Sequence, residues 1–443
     1  MPGKSSWDTA ALIAADKRHI WHPFTPMAAW CVPEHQPLVL VEGEGALLWD
    51  SNGNQYIDGN SSIWTNIHGH NHPHINGAIK RQLERVAHTS FLGFTNPAAI
   101  RLAEMLVDLF PPGTLSRVFF SDDGSTAMEV ALRIVEQYWR LKGAIRPRFL
   151  AFRNAYHGDT AGAASLGAAQ MFRSKPAGWD FPALTVGSVA ELEAFSSTQA
   201  AEVAAVVIEP LVQGAAGMKL WPAGTLADLR EWCDHSGALL ITDEVLTGFG
   251  RTGTMFACER EGAYPDLMML GKALTGGYVP LAVTLLTEKI MQPFLEAMGQ
   301  FTTLFYGHSY SGNPVGCAAA IASLEIFTSD RVLERLAASI ALLADELAPL
   351  ELLPHVREVR QCGFIAGIEL RSGEESAENT PPLGAAVCAE ARKYGLLTRP
   401  IGNVVVLMPP YCITDEQLRT SVRAIREAIR DVFGGQPAAG STR

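Results

Sequence analysis

The stretch Asp266-Leu-Met-Met-Leu-Gly-Lys272-Ala-Leu-Thr-Gly-Gly277 joins a short apolar run to a lysine and then to a glycine-rich turn. Lysine side chains are rarely buried, because an ammonium group loses favourable hydration when it leaves water. A lysine at the end of a buried strand projects its amine into a cleft, where desolvation lowers the amine pKa and leaves a nucleophilic nitrogen. The segment therefore predicts a Schiff-base nucleophile at Lys272. The alternative is a lysine whose stem only covers the end of the strand.

Segments of two kinds alternate on both sides of this stretch from about residue 96 onwards. Short apolar runs, predicted as strands, occupy residues 117–121, 148–152, 183–187, 204–209, 238–243, 266–270 and 281–286. Amphipathic helices are predicted at residues 125–141, 225–235, 332–347 and 415–432. This alternation is typical of a parallel sheet with helices on both faces. We predict an α/β protein whose large domain holds a mostly parallel seven-stranded sheet, with a smaller α+β domain beside it.

The chain divides into four predicted regions. Residues 1–85 form an N-terminal arm and part of the small domain, with an irregular segment around Pro23 and short antiparallel strands between residues 38 and 57. Residues 86–330 form the large domain and residues 331–435 the C-terminal small domain. Residues 436–443 are predicted to be a disordered tail, since they are small and polar.

Composition restricts the class of ligand. The chain has 443 residues, 48% of them hydrophobic and 18% charged, and a formal net charge of −11. An acidic surface does not attract nucleic acid or an anionic membrane, so a small-molecule substrate is expected. The seven cysteines are scattered without a Cys-x-x-Cys spacing, which fits a reducing compartment. With no signal-peptide core and no apolar run long enough to span a membrane, a cytoplasmic protein is predicted.

Four histidines stand close together at His68, His70, His72 and His74 and suggest a metal site. The glycine and proline between them predict a loop, and no carboxylate or thiol is close by in sequence. A hydrogen-bonded loop is the preferred interpretation, and no metal is predicted.

Polar residues follow the predicted strands at their carboxyl ends, where open parallel sheets bind ligands. Gly124 and Ser125 open a helix after one strand, and the free backbone N–H groups of a helix start suit a phosphate. Tyr156 follows the next strand and offers an aromatic face, and Glu209 ends another. Each of these features alone is more often structural.

Asp243 ends the strand that begins Leu239-Leu-Ile-Thr. A carboxylate there is desolvated and needs a cationic partner to stay ionised, for which a protonated pyridine nitrogen would serve. One helical crossover separates Asp243 from Lys272, so the two are expected to lie near each other. Phosphate donors, an aromatic ring, a buried aspartate and a strand-end lysine together form the constellation that binds pyridoxal 5′-phosphate.

The chain resembles the class III (ω-type) pyridoxal-phosphate aminotransferases of fold type I along nearly its whole length. Their core motifs are matched by Ile241-Thr-Asp243-Glu244-Val245, Gly248-Phe-Gly-Arg-Thr-Gly253 and Gly271-Lys272. Within that class it is most similar to the members that act in biotin biosynthesis. The segments that carry this similarity are Trp21-His-Pro-Phe24-Thr, Asp58-Gly-Asn-Ser-Ser-Ile-Trp64, Tyr156-His-Gly-Asp-Thr160, Gly307-His-Ser309-Tyr-Ser-Gly-Asn-Pro314 and Thr398-Arg399-Pro400-Ile401-Gly402.

The resemblance implies a reaction and a set of site residues. The reaction is transamination of 8-amino-7-oxononanoate to 7,8-diaminononanoate, with pyridoxal 5′-phosphate as cofactor. The implied catalytic residues are Lys272, which would bind the cofactor and transfer protons, Asp243, which would hold the pyridinium proton, and Tyr156, which would lie against the ring. The implied cofactor-binding residues are Gly124, Ser125, Tyr156, Glu209, Asp243, Lys272, His308 and Ser309. The implied substrate-binding residues are Phe24, Ile63, Trp64, Tyr156, Gly307 and Arg399.

Two of these residues carry further implications of the resemblance. Ser309 stands at the position where family members have a serine or threonine that reaches the phosphate of the other subunit. This implies a homodimer with shared active sites. Arg399 matches the arginine that takes the substrate carboxylate, a bidentate pairing that a guanidinium suits. The alternative for Arg399 is an arginine exposed on the surface.

The amino donor is less closely defined. Members that use S-adenosylmethionine usually carry tyrosine at the position of Phe24 and tryptophan at that of Ile63. Phe24 has no hydroxyl for a polar donor, and Ile63 has no ring for a sulfonium, a contact worth ~0.5–2 kcal/mol. Lysine is therefore the hypothesised donor beside S-adenosylmethionine, the family default. An ω-amino-acid:pyruvate or 4-aminobutyrate aminotransferase is the alternative function, with an aminomutase and a non-catalytic binding protein as more distant ones.

Overall fold

The computed structural model describes residues 7–167, 183–296, 302–371 and 383–434 of the chain. The strands, numbered in chain order, are β1 (Leu40–Glu44), β2 (Leu47–Asp50), β3 (Gln55–Asp58), β4 (Leu115–Ser121), β5 (Arg148–Phe152), β6 (Ala183–Val186), β7 (Val203–Ile208), β8 (Val212–Gln213), β9 (Lys219–Leu220), β10 (Leu239–Asp243), β11 (Leu267–Leu270), β12 (Ala282–Thr287), β13 (Val356–Cys362), β14 (Ile365–Leu370), β15 (Leu396–Leu397), β16 (Pro400–Ile401) and β17 (Val404–Leu407).

The α-helices cover the sheets and fill the connections. They are Thr9–His19, Met27–Trp30, Pro73–Leu83, Pro97–Val107, Gly124–Leu141, Ala161–Leu166, Val189–Glu193, Ser197–Ala201, Thr225–Ser236, Glu288–Glu296, Pro314–Ser329, Val332–Leu347, Leu383–Ala391 and Asp415–Phe433. Short 3-10 helices lie at Ala257–Glu261, Lys272–Thr275, Ala348–Leu352 and Arg392–Tyr394. The segment Ser61–Trp64 has helical hydrogen bonds but non-helical backbone angles at Ser62 and Ile63, so it is a turn. None of the helices in the described ranges has the length and apolar character needed to cross a bilayer.

The large sheet has the strand order β4-β12-β11-β10-β7-β5-β6. All seven predicted strands are present, and the mostly parallel seven-stranded sheet is confirmed. β12 is the exception, since it runs antiparallel to both β4 and β11. Its direction is not visible in the sequence, because a strand buried on both faces is uniformly apolar whichever way it runs.

Successive side chains of the central strands pack into two separate cores. Leu240 of β10 and Met268 of β11 belong to the core on one face of the sheet. Ile241 and Met269 belong to the core on the other face, which the helix Gly124–Leu141 covers. Neighbouring residues of a strand point to opposite faces, so each strand is buried on both sides. Polar side chains therefore reach a cleft only beyond the strand ends.

The connection from β10 to β11 differs from the prediction. It consists of turns and the 3-10 helix Ala257–Glu261, so the predicted helical crossover was wrong. Gly250 and Gly253 take φ values of 93° and 96°, which no right-handed helix accommodates. β10 and β11 are nevertheless parallel neighbours, so Asp243 and Lys272 follow adjacent strands at the same edge of the sheet.

Two four-stranded sheets lie outside the large one, in the orders β1-β2-β3-β15 and β13-β14-β17-β16. The antiparallel strands predicted between residues 38 and 57 are β1, β2 and β3. β15 pairs in parallel with β3, so a C-terminal segment completes the N-terminal sheet. The domain boundaries stay a prediction, and the tail predicted at residues 436–443 lies outside the described residues.

Candidate active site

A cavity of about 650 Å³ lies beyond the carboxyl ends of the large sheet. Segments that follow β4, β5, β7, β10 and β11 all contribute to its lining, as do the N-terminal region and the β15–β16 connection. Ten of the predicted site residues line this cavity: Phe24, Ile63, Trp64, Gly124, Ser125, Tyr156, Glu209, Asp243, Lys272 and Arg399. Residues that are far apart in sequence thus meet in one place, and their roles stay predictions.

Lys272 directly follows the buried strand β11 and Gly271 and begins a 3-10 helix. Its φ is 40°, a strained value for a residue with a side chain, and such strain collects at functional sites. The amine lies 4.7 Å from the centroid of the Trp64 ring. Burial lowers the pKa of the Lys272 amine, and the nearby Asp243 and Glu209 carboxylates oppose this shift. The amine is therefore easier to deprotonate than a lysine in water, which is what a nucleophile or base requires.

Asp243 is held by a histidine that the sequence interpretation left out. The Nδ1–H of His157 donates to Asp243 Oδ2 at 2.8 Å, and the Val245 N–H donates to Asp243 Oδ1 at 3.1 Å. His157 is buried, and its Nε2 has no hydrogen-bond partner among the described residues. These contacts fix the plane of the carboxylate while it still faces the cavity. The sequence signals for His157 are its position next to Tyr156 and its place in the segment Tyr156-His-Gly-Asp-Thr160 that carries the family resemblance.

Glu209 positions Tyr156. Its carboxylate accepts the backbone N–H of Tyr156 at 3.0 Å and that of Gly214 at 2.9 Å. Burial raises the pKa of Glu209 to about 7, although the charge of His157 opposes this shift. The Tyr156 hydroxyl donates to Asp159 Oδ2 at 2.7 Å, and burial together with that bond raises the pKa of Tyr156. Tyr156 is thus held by hydrogen bonds at two points, its backbone N–H and its hydroxyl.

The predicted anion site lies at the start of the helix Gly124–Leu141. Asp123 caps the helix by accepting the Thr126 N–H at 2.8 Å, and Gly124 and Ser125 in the first turn line the cavity. The N–H groups of a first turn have no partner within their own helix. Gly158 approaches so closely, with a φ of 119°, that a Cβ there would lie 2.2 Å from Ser125 Oγ. Close backbone approach at a helix N-terminus is what phosphate binding needs.

The mouth of the cavity is both apolar and cationic. Phe24 and Ile63 line it with 59% and 47% of their surfaces exposed. The guanidinium of Arg399 is also exposed and forms no ion pair with a described carboxylate. Trp64 lies deeper, and its indole N–H donates to Asn60 Oδ1 at 2.9 Å.

Three predicted residues lie elsewhere. Gly307, His308 and Ser309 are described but do not line the cavity of their own chain. His308 Nδ1 lies 3.0 Å from Asp122 Oδ2, beside the predicted anion site. The prediction for Ser309 concerns the phosphate of a partner subunit and stays a prediction, as do the roles of Gly307 and His308.

Three of the four histidines between residues 68 and 74 have separate side-chain partners. His68 Nε2 pairs with Ser323 Oγ at 3.0 Å, His70 Nε2 with Asp58 Oδ2 at 2.9 Å, and His74 Nε2 with Glu325 Oε2 at 2.7 Å. The predicted loop ends earlier than expected, because Pro73 starts a helix that includes His74. The described residues contain no group of three or more side chains suited to hold a metal ion.

The side chains present fit pyridoxal 5′-phosphate. A lysine amine and a carboxylate braced by a buried histidine line one cavity with the anion-binding turn of a helix and a fixed aromatic ring. With the sheet order described above, these features define the fold type I class of pyridoxal-phosphate enzymes. The chain belongs to the class-III aminotransferases, because the model of that family matches residues 31–429. The protein is thus an aminotransferase, and its family implies this cofactor.

Several of its relatives share one name, adenosylmethionine-8-amino-7-oxononanoate aminotransferase. An adenosylmethionine-8-amino-7-oxononanoate aminotransferase from Geobacter sulfurreducens is 46% identical, covering 97% of this chain and 99% of that protein. The crystal structure of such an aminotransferase from Methanocaldococcus jannaschii is 39% identical, with a TM-score of 0.89 over 96% of this chain and 99% of that one. A PLP-bound amine transaminase from an uncultivated Pseudomonas species is 33% identical, with a TM-score of 0.87 over 93% of this chain and 98% of that one.

Proposed function

We propose that this aminotransferase converts 8-amino-7-oxononanoate to 7,8-diaminononanoate in biotin biosynthesis, with pyridoxal 5′-phosphate as cofactor and S-adenosylmethionine as amino donor. The names of the relatives in Geobacter sulfurreducens and Methanocaldococcus jannaschii support this acceptor and this donor. The observation that carries the proposal is Arg399, an exposed guanidinium at the mouth of the cavity that also holds Lys272. A cation there suits an acceptor with a carboxylate at one end and a carbonyl further along its chain.

The chain's own residues bind, orient and transfer protons. Pyridoxal 5′-phosphate, when bound, supplies an electrophilic carbonyl carbon and a ring that accepts the electron pair released from the substrate. The N–H groups of Gly124 and Ser125 would hold its phosphate. Asp243, braced by His157, provides the negative charge that keeps a pyridine nitrogen protonated. Lys272 Nζ removes the proton from the amino-bearing carbon of the donor and later delivers a proton to the acceptor carbon.

The assembly we propose is a homodimer with shared sites. Trp21, Leu92 and Phe305 are large apolar side chains exposed on the single chain, and Phe24 at the cavity mouth is exposed as well. Ser309 would then face the phosphate in the partner subunit. Sedimentation of the purified protein tests this assembly, and a monomer that is fully active would contradict it. The cytoplasmic location stays a prediction that follows from this role.

Lysine is the second candidate donor, because Phe24 and Ile63 line the cavity where a hydroxyl and a second indole would favour a sulfonium. The test is a half-reaction. Enzyme loaded with cofactor is mixed separately with S-adenosylmethionine and with lysine, the change in cofactor absorbance is followed, and 8-amino-7-oxononanoate is then added. Product that forms only after S-adenosylmethionine supports the proposed donor. Product that forms only after lysine would make lysine the donor instead.

The same experiment tests the acceptor. Pyruvate and 2-oxoglutarate are offered to the aminated enzyme in place of 8-amino-7-oxononanoate. Faster turnover with either of them would favour an ω-amino-acid:pyruvate or 4-aminobutyrate aminotransferase. Arg399→Gln serves as the matched variant: its KM for 8-amino-7-oxononanoate should rise at least about tenfold through loss of a charge-assisted hydrogen bond.

A further inference from the structure

The turn Ser61–Trp64 is strained. Ser61, Ser62 and Trp64 have φ values of 44°, 61° and 66°, in the left-handed region that residues with side chains rarely occupy. The turn contributes Ile63 and Trp64 to the cavity lining, and Trp64 lies against the Lys272 amine. An unfavourable backbone of this kind persists only when the surrounding contacts hold it.

Asp58 supplies the contacts of Ser62, while the Ser61 hydroxyl has partners of its own, the Met408 carbonyl and the Arg251 guanidinium, at 2.8 Å each. Asp58 is buried at the end of β3 and does not line the cavity. The Ser62 N–H donates to both carboxylate oxygens of Asp58, at 2.9 and 2.8 Å. The Ser62 hydroxyl and the Asn60 N–H donate to the same carboxylate at 3.2 Å each. The Asp58 carboxylate therefore accepts hydrogen bonds from N–H and O–H groups that would bind water if the turn were open.

His70 holds Asp58 in place. Its Nε2 lies 2.9 Å from Asp58 Oδ2, and its Nδ1 lies 3.0 Å from the Asn66 side-chain amide nitrogen. The His70 backbone exchanges two hydrogen bonds with Gly45, in the hairpin between β1 and β2, at 2.8 and 3.0 Å. A Cβ at Gly43 would lie 2.8 Å from the His70 Cβ, so the histidine packs directly on that hairpin. His70 does not line the cavity either.

We infer that Asp58 and His70 are positioning residues, a clamp that holds the strained turn so that Trp64 covers Lys272 and Ile63 narrows the cavity mouth. The pair acts on substrate binding through the turn and without contact to substrate. This inference deepens the proposed function and rests on it for the identity of the substrates.

Two substitutions of one residue test the clamp. His70→Gln keeps a donor near the position of Nε2 and hence the bond to Asp58, whereas His70→Asn is too short to reach it. We expect His70→Asn to raise the KM of both substrates at least about tenfold, the scale of a lost hydrogen bond to a charged group, with little change in kcat. His70→Gln should restore most of the affinity. His74→Asn is the matched control, because it removes an exposed histidine–carboxylate pair whose two residues do not line the cavity.

A second readout needs no substrate. In the full-length chain without cofactor, an amine-modifying reagent followed by peptide mass spectrometry reports the exposure of Lys272, with the exposed Lys289 as internal reference. His70→Asn should label Lys272 about tenfold faster than the parent chain, because the turn that covers it opens more often, and His70→Gln should label it at nearly the parent rate.

Two results would overturn the clamp: parent-like labelling and KM values in His70→Asn, or losses in His70→Gln as large as those in His70→Asn. Should the parent enzyme fail to convert 8-amino-7-oxononanoate, the proposed function falls, and the labelling rates alone decide the clamp.

Discussion

Asp243 and Glu244 are adjacent carboxylates at one strand end, and they serve opposite sides of the molecule. Asp243 faces the cavity and takes one side-chain donor, His157. Glu244 faces the core, where it accepts the N–H groups of Ala257 and Cys258 at 2.7 and 2.9 Å and the Thr247 hydroxyl at 3.1 Å. One acid keeps a free edge for a ligand, while the other is saturated by the protein. The residue type therefore does not tell a site residue from a structural one here, since both are acids. The difference is that the Asp243 carboxylate has acceptor capacity left for a ligand.

The cavity side should show the largest effect, at Lys272. Lys272→Ala removes the only proton-transferring amine that we assign to this site, so turnover should fall by at least about 10³-fold while the fold is kept. The measurement is product formation by the purified, cofactor-reconstituted variant. Lys289→Ala, which removes an exposed lysine beside Asp266, is the control and should keep parent activity. Substantial activity in Lys272→Ala would refute the site assignment.

Asp243→Asn should have the next largest effect. The neutral amide cannot supply the charge that a protonated pyridine nitrogen requires, so kcat should fall by about 10²–10³-fold. The midpoint of urea unfolding should fall less than in Glu244→Gln, because asparagine keeps an oxygen to accept from His157 and its NH2 group then faces only the partly buried Val245 N–H. Equal kcat values in Asp243→Asn and the parent would contradict the proposal that Asp243, unlike Glu244, acts in catalysis.

Glu244→Gln should change stability and spare catalysis. The glutamine NH2 group must face at least one of the donors that now bind the carboxylate, at a cost of about 1–3 kcal/mol. The midpoint of urea unfolding should fall, whereas kcat per folded molecule should stay near that of the parent. A large loss of kcat with an unchanged midpoint would place Glu244 in the active site after all.

The smallest expected effect is a pH dependence of the difference in unfolding free energy between the parent and Glu244→Gln. Burial raises the pKa of Glu244 to about 7 in the folded chain, above its ordinary value of 4.5. The folded state thus binds more protons than the unfolded state between these values, and the stability contributed by Glu244 is lost as pH rises through about 7. The stability advantage of the parent over Glu244→Gln should shrink from pH 5 to pH 8. Urea titrations at several pH values measure it, and a difference that grows with pH would contradict the raised pKa.

The sequence was sufficient to locate the strands of the large sheet and two charged residues at its edge. Buried apolar runs such as Leu239-Leu-Ile marked the strands, and Asp243 and Lys272 stood out because a charge directly after such a run has no place in a core. Helix starts such as Asp123-Gly124 were equally visible, because capping depends on local residue types.

Contacts between distant segments were not predictable in this way. His157 was not singled out, because its bond to Asp243 depends on how β5 and β10 are placed in the sheet. The sequence does not indicate the positive φ angles of Ser61 and Ser62, because serine is common in ordinary turns. Here the hydrogen bonds to a buried acid hold the conformation. Likewise Phe24 and Ile63 were readable as departures from a family pattern, but their exposure at the cavity mouth required the structure.

The single antiparallel strand of the large sheet also fixes an order of assembly during synthesis. Among the strands of the described residues, β12 is the only neighbour of the edge strand β4, and about 160 residues of chain separate the two, which a ribosome adds in roughly 10–30 s. Until β12 emerges, the aromatic residues Phe119 and Phe120 of β4 have no strand beside them. A nascent chain of this protein therefore carries an open strand edge for much of its synthesis, and chaperones that bind extended apolar segments have their longest opportunity at β4.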